Sequence, residues 1–496
     1  MSTAQSDAGR QSALNSSGQD HTLQGNIGTA HLVFTVLAYN GPMVVFLGFI
    51  PVSILLGSGV GTPLMLLLCG MVALMFSSGL VAMGLRLPKP GGFYAFVSAG
   101  LGKRAGLSSG FAAMLAYYAV NVSAYGLGGA AAETFVQGAL HGPEIPWWVY
   151  ALVMFAGVSL LGYINISFSA RVLTVFLALE VALLVAYDVS VLVAGGAHGI
   201  DFTSWNPASL SDGSVAIGFI FGIAIYGGFE ATIIFRDEVR RPAVTIPRAT
   251  YTVVITLALL YAISAWVFIN AYGPDTIMSV LNEDLVSASS ESVRQYTGEG
   301  AYVAASVLLI TSSFALLIAS HNIVARYLFN LSVDGVLPPA ISHVHERHGS
   351  PHRASATVSA ASLFGILVFA FFKVSGDVVY ARLSGVYAYT FVILLVLSSL
   401  AITAYLRRVR QQAPATRPIV ATAISLVFMT IALIIATIHF ELLAGTVGWL
   451  TVIVLVIVWG IVACGAALAW SLKLRRPEVY ARIGRDEMLP ADNAHG

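Results

Sequence analysis

Long apolar stretches separated by short polar connections fill the chain from about residue 27 onward. An α-helix needs about 20 apolar residues to cross the hydrocarbon core of a bilayer. By this rule the membrane segments are 29–56, 63–85, 106–136, 147–165, 168–195, 214–236, 247–272, 300–330, 355–374, 381–406, 418–438 and 446–472. The pattern therefore predicts an all-α integral membrane protein with 12 transmembrane helices.

Polar residues outside these segments predict the limits and the orientation of the membrane domain. Residues 1–25 are rich in Ser, Gln, Asp and Gly and predict a disordered tail, followed by a membrane domain at 26–473 and a second tail at 474–496. With the N-terminus inside, every basic residue except Arg294, Lys373 and Arg382 lies in a cytoplasmic loop or tail. By the positive-inside rule we expect a multi-pass protein of the cell (plasma or inner) membrane with both termini cytoplasmic.

Two segments contain residues that interrupt a helix near the middle of the membrane. The first segment carries residues 40–42, Asn-Gly-Pro, and proline removes a backbone donor and clashes with the preceding turn. The sixth segment carries Gly227, Gly228 and Glu230. A carboxylate at the bilayer centre costs about 2.5–3.5 kcal/mol, so such a segment is expected to be broken, with the acid facing a cavity.

The two predicted breaks lie five segments apart, in segments that run in opposite directions. Paired broken helices in corresponding positions of two halves indicate a transporter built from inverted repeats. The repeats would be 29–195 and 214–406, followed by two extra helices at 418–472. Ordinary packing kinks are the alternative, because glycine and proline are common in membrane helices.

Several short motifs occur in a fixed order through segments two to eight. They are residues 87–94 with 101–102, 170–171, 226–230 with 237–238, 241–242 and 246–249, and Asn322 and Arg326 with 334–338 and Pro351. Together they resemble the amino acid–polyamine–organocation (APC) superfamily. The resemblance implies a LeuT-type fold, with a 5+5 inverted repeat, broken helices 1 and 6 and two further helices. It also implies alternating access, with uptake or exchange of an amino acid, an amine or a related solute.

Residues 57–61, Gly-Ser-Gly-Val-Gly, resemble the motif with which these permeases bind a substrate carboxylate in their broken first helix. Only about 33 residues separate Gly57 from the Pro-Gly-Gly element at 90–92, whereas half a span, the next span and its connection need about 45. We therefore predict that residues 57–62 form the outer turn between the first two spans. The break at 40–42 then takes the place of the glycine motif, although Pro42 offers no N–H.

The two breaks supply the candidate substrate-binding residues. Glu230 is expected either to bind a substrate ammonium or a coupling proton, or to cap the half-helix that follows it. Backbone N–H groups at the start of that half-helix would attract an anionic substrate group. The candidate set is Tyr39, Asn40, Gly41, Tyr226, Gly227, Gly228, Phe229 and Glu230.

Glu180 is the candidate for ion or proton coupling. It lies about 12 residues into the fifth segment, roughly 18 Å deep at 1.5 Å per residue, and intramembrane acids are functional by default. The family resemblance implies that some related permeases carry a lysine at this place, so the charge is reversed here. Hydroxyls of Thr311, Ser312 and Ser313 in the eighth segment could lie nearby. Hydrogen bonding between helices is the alternative role for the acid and for the hydroxyls.

Composition removes other classes of protein from consideration. Charged residues make up 10% of the chain, against about 25% in an average soluble domain. We expect no nucleic-acid partner, no metal site and no enzyme, because the sequence carries no basic aromatic stripe, no strong metal-ligand spacing and no nucleotide or nucleophile–base motif.

We expect a permease coupled to H+ or Na+, or an exchanger, for an amino acid or amine-like solute. No cofactor beyond the coupling ion is expected. The predicted partners are the small-molecule substrate and the lipid bilayer, and the choice between monomer and homodimer stays open. The alternatives are a carrier for a solute other than an amino acid and, on the same scaffold, a channel or receptor.

Overall fold

A computed structural model describes residues 28–87, 92–164, 170–211, 213–285, 287–345, 350–409 and 416–484. The predicted N-terminal tail at 1–25, residues 485–496 of the C-terminal tail and residues 88–91 of the motif at 87–94 lie outside these ranges. The side chains of Tyr39, Arg171 and Asp237 also lie outside the described part of the structure.

Regular secondary structure in the described residues is helical. In chain order the helices are α1 (Thr29–Asn40), α2 (42–58), α3 (Thr62–Gly84), α4 (Phe93–Leu101), α5 (Lys103–Gly138), α6 (Trp147–Tyr163), α7 (Ala170–Ala194), α8 (Val215–Ala224), α9 (Ala231–Ile234), α10 (Pro242–Tyr272), α11 (Ile277–Glu283), α12 (Ser287–Thr297), α13 (Glu299–Val333), α14 (His352–Phe371), α15 (Gly376–Val409), α16 (Thr416–Ile438), α17 (Phe440–Ala444), α18 (Trp449–Arg475) and α19 (Pro477–Arg482). Short 3-10 turns connect some of them.

Eight helical stretches of the described chain are long and apolar enough to cross a membrane. One of them, Pro42–Gly84, joins α2 to α3 through the turn at 57–61. Helices satisfy their own backbone hydrogen bonds, as a chain in hydrocarbon requires. The protein is therefore an all-helical, multi-pass membrane protein, as the apolar pattern predicts.

Helix α5 lies at the centre of the packing, where it contacts α13, α15 and α18. Its glycines allow neighbouring backbones to approach closely. A Cβ added at Gly126 would lie 2.7 Å from the carbonyl oxygen of Gly376, and one at Gly129 would lie 2.6 Å from that of Trp147. Small residues at such contacts are characteristic of helix association in membranes.

The glycine motif at 57–61 forms the turn between α2 and α3, in agreement with the spacing argument. It packs tightly against the segment that leads into α8. A Cβ added at Gly57 would lie 2.8 Å from Cα of Gly218, and one at Gly61 would lie 2.4 Å from the carbonyl oxygen of Ser209. The backbone N–H of Ser214 donates to the carbonyl oxygen of Gly57 (2.9 Å). These glycines therefore serve close packing at the end of α2.

Two parts of the architecture differ from the sequence prediction. The predicted helical segment 214–236 contains only the four helical residues of α9 after its break, followed by a 3-10 turn at Phe235–Glu238. The predicted connection at 273–299 contains α11 and α12. Helix α12 docks on α2 through the Ser289 hydroxyl, which donates to the carbonyl oxygen of Leu47 (3.1 Å). The apolar pattern of these short helices is too weak to predict them.

Candidate functional site

The first break separates α1 from α2 at Gly41. This residue has φ 62° and ψ 77°, the left-handed conformation that glycine adopts without a steric penalty after the last residue of a helix. Pro42 follows as the first residue of α2, where its missing N–H costs no helical hydrogen bond. The prediction of a break at residues 40–42 is confirmed.

The second break lies between α8 and α9. Residues 225–230 form consecutive turns, and Gly228 has φ 108°, a value that favours glycine strongly. A Cβ added at Gly228 would meet nothing within 4 Å, whereas one at Gly227 would lie 2.4 Å from the Tyr387 hydroxyl. The backbone at Gly228 therefore borders open space, and the backbone at Gly227 is held against α15.

Asn40 joins the two breaks. Its side-chain amide donates to the carbonyl oxygens of Ile225 (2.8 Å) and Gly227 (3.3 Å). Tyr261 on α10 donates its hydroxyl to the other end of the same amide. The last residue of α1 thus satisfies carbonyls that the turn after α8 leaves without helical partners, as buried backbone groups require.

Glu230 lies in the second break with both carboxylate oxygens engaged. Its Oε2 accepts the backbone N–H of Gly228 (2.9 Å), and its Oε1 accepts the Tyr117 hydroxyl from α5 (3.1 Å). Its side chain makes no capping hydrogen bond to α9. The carboxylate therefore turns back toward the break, and the side chain remains half-buried.

Glu180 on α7 lies beside the first break and is only 3% exposed. Its Oε2 accepts the backbone N–H of Met43 (3.1 Å), and its Oε1 accepts the Ser312 hydroxyl from α13 (2.7 Å). A Cβ added at Gly41 would lie 3.1 Å from the same Ser312 hydroxyl. Glu180, Ser312 and the start of α2 therefore form one cluster, which joins three helices at the break.

Tyr226 and Phe229 adjoin the second break in sequence but point away from its open space. The Tyr226 hydroxyl donates to the carbonyl oxygen of Leu66 on α3 (2.6 Å), and its ring is fully buried. The Phe229 ring packs edge-on against Phe76 of α3, with 5.9 Å between ring centroids. The structure places both side chains as anchors between the break and α3.

Thr311 and Ser313 flank Ser312 in sequence. Among the described residues, only the Ser312 hydroxyl of the three hydrogen-bonds to Glu180. The Thr311 hydroxyl donates to carbonyl oxygens of its own helix, those of Val307 (3.0 Å) and Leu308 (3.1 Å). Ser313 is fully buried on the side of α13 that faces α5. One hydroxyl of the three therefore reaches the acid.

Three tyrosines at the breaks are absent from the candidate set drawn from the sequence, which sets Tyr117 aside because so many tyrosines are used in packing. Tyr117 contacts Glu230, Tyr261 contacts Asn40, and Tyr387 lies against Gly227. Each comes from a helix distant in sequence from the break it contacts. A single sequence with 20 tyrosines gives no signal that separates these three from those used in packing.

A cavity of about 880 Å³ lies between α1, α7 and α10. Its lining is almost wholly apolar and includes Phe34, Val185 and Val189, which are about half exposed. Neither Glu180 nor Glu230 contributes to it. Large exposed apolar side chains on membrane helices are expected to face lipid, so this groove is expected to open toward lipid, although Pro42 of the first break is among its lining residues.

The family model described as "Amino acid permease" matches residues 31–478, nearly the whole chain. The chain belongs to the amino acid permease family. Members of this family are transporters, and the APC resemblance drawn from the motifs is thereby confirmed. The helical breaks and the two acids described above lie within the matched residues.

Curated relatives of the chain include transporters with different named substrates. An uncharacterized transporter of Rhizobium meliloti is 28% identical over 52% of this chain and 53% of its own length, so the match spans about half of that protein. The low-affinity putrescine importer PlaP of Escherichia coli is 25% identical over 68% of this chain and 73% of its own length. The aromatic amino acid transport protein AroP of Escherichia coli is 24% identical over 66% and 72%, respectively.

Proposed function

We propose that this amino acid permease family member is a secondary active transporter that moves an amino acid or an amine across the membrane by alternating access. The solute binds at the two helical breaks, where Asn40, Gly41, Gly227, Gly228 and Glu230 keep accessible surface although they lie within membrane segments. The observation that supports this most strongly is the bridge from Asn40 to the carbonyls after α8. It joins the two breaks, which lie 185 residues apart.

The proposed architecture has 12 membrane segments in two inverted repeats, 29–195 and 214–406, with two further helices at 418–472. The paired breaks in its first and sixth segments support this LeuT-type arrangement. We further propose that both tails, 1–25 and 474–496, face the cytoplasm and that the protein resides in the cell membrane. The distribution of Lys and Arg supports that orientation.

Glu180 and Ser312 carry the coupling in this proposal. Their hydrogen bond links α7 to α13, and the bond from Met43 to Glu180 links both to the first break. A proton or Na+ taken up by the carboxylate would change these bonds and thereby bias the position of the helices. Thr311 and Ser313 are expected to contribute less, because their hydroxyls lie away from the acid.

The test uses purified protein reconstituted in vesicles with imposed pH and Na+ gradients. We expect radiolabelled amines or amino acids to accumulate above their external concentration, and the accumulation to disappear when the driving gradient is collapsed. Mere equilibration would indicate a channel, because a channel cannot concentrate its solute. A binding response without any flux would indicate a receptor. Either result would contradict the proposal.

A further inference from the structure

The first break offers few free backbone donors to a substrate carboxylate. A carboxylate is ordinarily bound by the unpaired N–H groups at the start of a helix. In α2 the first of these groups is missing, because its residue is Pro42. The second, from Met43, donates to Glu180, and the fourth, from Val45, donates to the carbonyl oxygen of Gly41 (3.2 Å). The third N–H group belongs to Val44, which is only 2% exposed, so a solute cannot reach it in this structure.

Glu180 therefore occupies the position that a substrate carboxylate would otherwise use at this helix start. Its two oxygens accept from a backbone N–H and from the Ser312 hydroxyl, the kinds of donor that bind a carboxylate ligand. The acid belongs to the protein, so the donors are used in the absence of any solute.

The second break is arranged in the same way. The N–H group of Gly228 donates to Glu230, while the N–H groups of Gly227 and Phe229 donate to carbonyls of the preceding turn. The side-chain amide of Asn40 is engaged by the carbonyls of the same break. Apart from the buried Val44 N–H, the donors named here at the two breaks are thus satisfied by the protein itself.

The two side chains that the candidate set places at the breaks and that can carry a charge near neutral pH are both acids. None of the lysines and arginines in the described part of the chain is buried, whereas Glu180 is buried and Glu230 is half-buried at the breaks. A substrate carboxylate would approach two acids and be repelled whenever either is ionised, and the repulsion is strong in a medium of low dielectric constant. A cation would instead be attracted by both acids and by the nearby rings of Tyr117 and Tyr387.

From this arrangement we infer that the solute is an organic cation without a carboxylate: an amine, a diamine or a guanidinium compound. Glu230 binds its cationic group, and Glu180 excludes the carboxylate that distinguishes an amino acid from the corresponding amine. This inference rests on the proposed permease function and narrows its substrate class.

The test compares solutes that differ only by a carboxylate. Vesicles containing the wild-type protein receive cadaverine or lysine, putrescine or ornithine, and agmatine or arginine, with leucine and phenylalanine as neutral amino acids. We expect at least one amine to accumulate and its amino acid partner to be taken up at least about tenfold less efficiently. Uptake of any amino acid equal to that of the best amine would overturn the inference and leave the permease function intact. Uptake of none of these solutes would contradict both.

A variant then tests the role of Glu180 directly. Glu180→Ala frees the Met43 N–H and removes one acid, so the ratio of amine to amino acid binding affinity, measured by titrating purified protein because the coupling role of Glu180 affects uptake itself, should fall by about tenfold or more. Glu180→Gln keeps most of the side-chain volume and an acceptor oxygen, and should shift the ratio less. A ratio unchanged in a folded Glu180→Ala protein would overturn the role given to Glu180.

Asp188 provides the matched control on the same helix. It is a buried acid 7% exposed, bonded to the Ser264 hydroxyl (2.7 Å), and it makes no contact with either break. Asp188→Asn should leave the ratio of amine to amino acid binding affinity unchanged. If Glu180→Ala fails to fold, the wild-type comparison still decides the substrate class, since it needs no variant. An equal shift in Asp188→Asn would show that any lost buried acid alters selectivity, contrary to the inference.

Discussion

Asn40→Ala gives the most direct test of the link between the two breaks. The substitution removes two donated hydrogen bonds, to Ile225 and Gly227, and the bond accepted from Tyr261. Hydrogen bonds between membrane helices contribute about 0.6 kcal/mol each on average, and up to about 1.7. The loss of three bonds therefore lowers the free energy of unfolding by about 2–5 kcal/mol. Two carbonyls are then left without their partner inside the membrane.

The assay is thermal unfolding of the purified protein in detergent, paired with uptake in vesicles. One kcal/mol shifts Tm by about 2–4 °C in a domain of 150–250 residues and by less in a longer chain, so we expect a fall of roughly 3–8 °C. Tyr261→Phe removes one of the three bonds and should cost about a third as much. Asn40→Asp keeps an acceptor for Tyr261 but places a carboxylate against two carbonyl oxygens, and it should be as damaging as Asn40→Ala.

Asn282→Ala is the matched control. Asn282 lies exposed on α11, and its amide donates to the carbonyl oxygen of Met278 within the same helix (2.7 Å). This substitution should change neither Tm nor uptake. Wild-type Tm and uptake in Asn40→Ala would refute the role of the bridge. If Tyr261→Phe were as damaging as Asn40→Ala, the tyrosine rather than the carbonyl bridge would hold the breaks together.

Further substitutions test the two acids and the glycines at the second break. Glu230→Gln should abolish uptake while the amount of folded protein and its Tm stay near wild type, and uptake at the wild-type rate would exclude a role in binding. Tyr117→Phe removes one donor to that acid and should weaken apparent solute affinity by about tenfold at most, measured as KM. Gly227→Ala should destabilise the protein by about 1–3 kcal/mol through overpacking against the Tyr387 hydroxyl. Tyr387→Phe should restore part of that loss in the double variant, and purely additive Tm changes would contradict the contact. Tyr226→Phe should lower Tm by a few degrees and leave KM unchanged, since its hydroxyl anchors α3.

The positions of the breaks could be predicted because they depend on local backbone chemistry. Gly41 and Pro42 in the first break, and Gly227 and Gly228 in the second, impose or permit conformations that no other residues favour within a few positions. The turn at 57–61 could be predicted from the length that a span requires. Both features depend on residues that are close together in the chain and not on tertiary contacts.

The tyrosine partners of the breaks could not be predicted, because they come from distant parts of the chain, whereas the position of Ser312 near Glu180 is expected from the sequence. Tyr226 adjoins the second break but points into α3, since the turn at 225–230 directs its side chain away from the open space. Tyr117 lies 113 residues from Glu230 and yet donates to it. The local sequence predicts where a helix is broken. The direction of each side chain follows from how the broken segments pack.

The hydrogen bonds of Glu180 also indicate which coupling ion the cluster carries. Both oxygens of Glu180 act as acceptors, one from the Met43 N–H and one from the Ser312 hydroxyl. The N–H can only donate, whereas a hydroxyl can donate or accept. A proton added at Oε1 could therefore be accommodated by reversing the bond to Ser312, while the bond from Met43 stays in place. A sodium ion requires oxygen ligands, and the Met43 N–H directed at the other oxygen opposes a cation there. We therefore expect the cluster to carry H+ rather than Na+, with Ser312 as the group whose hydrogen bond reports the protonation of Glu180.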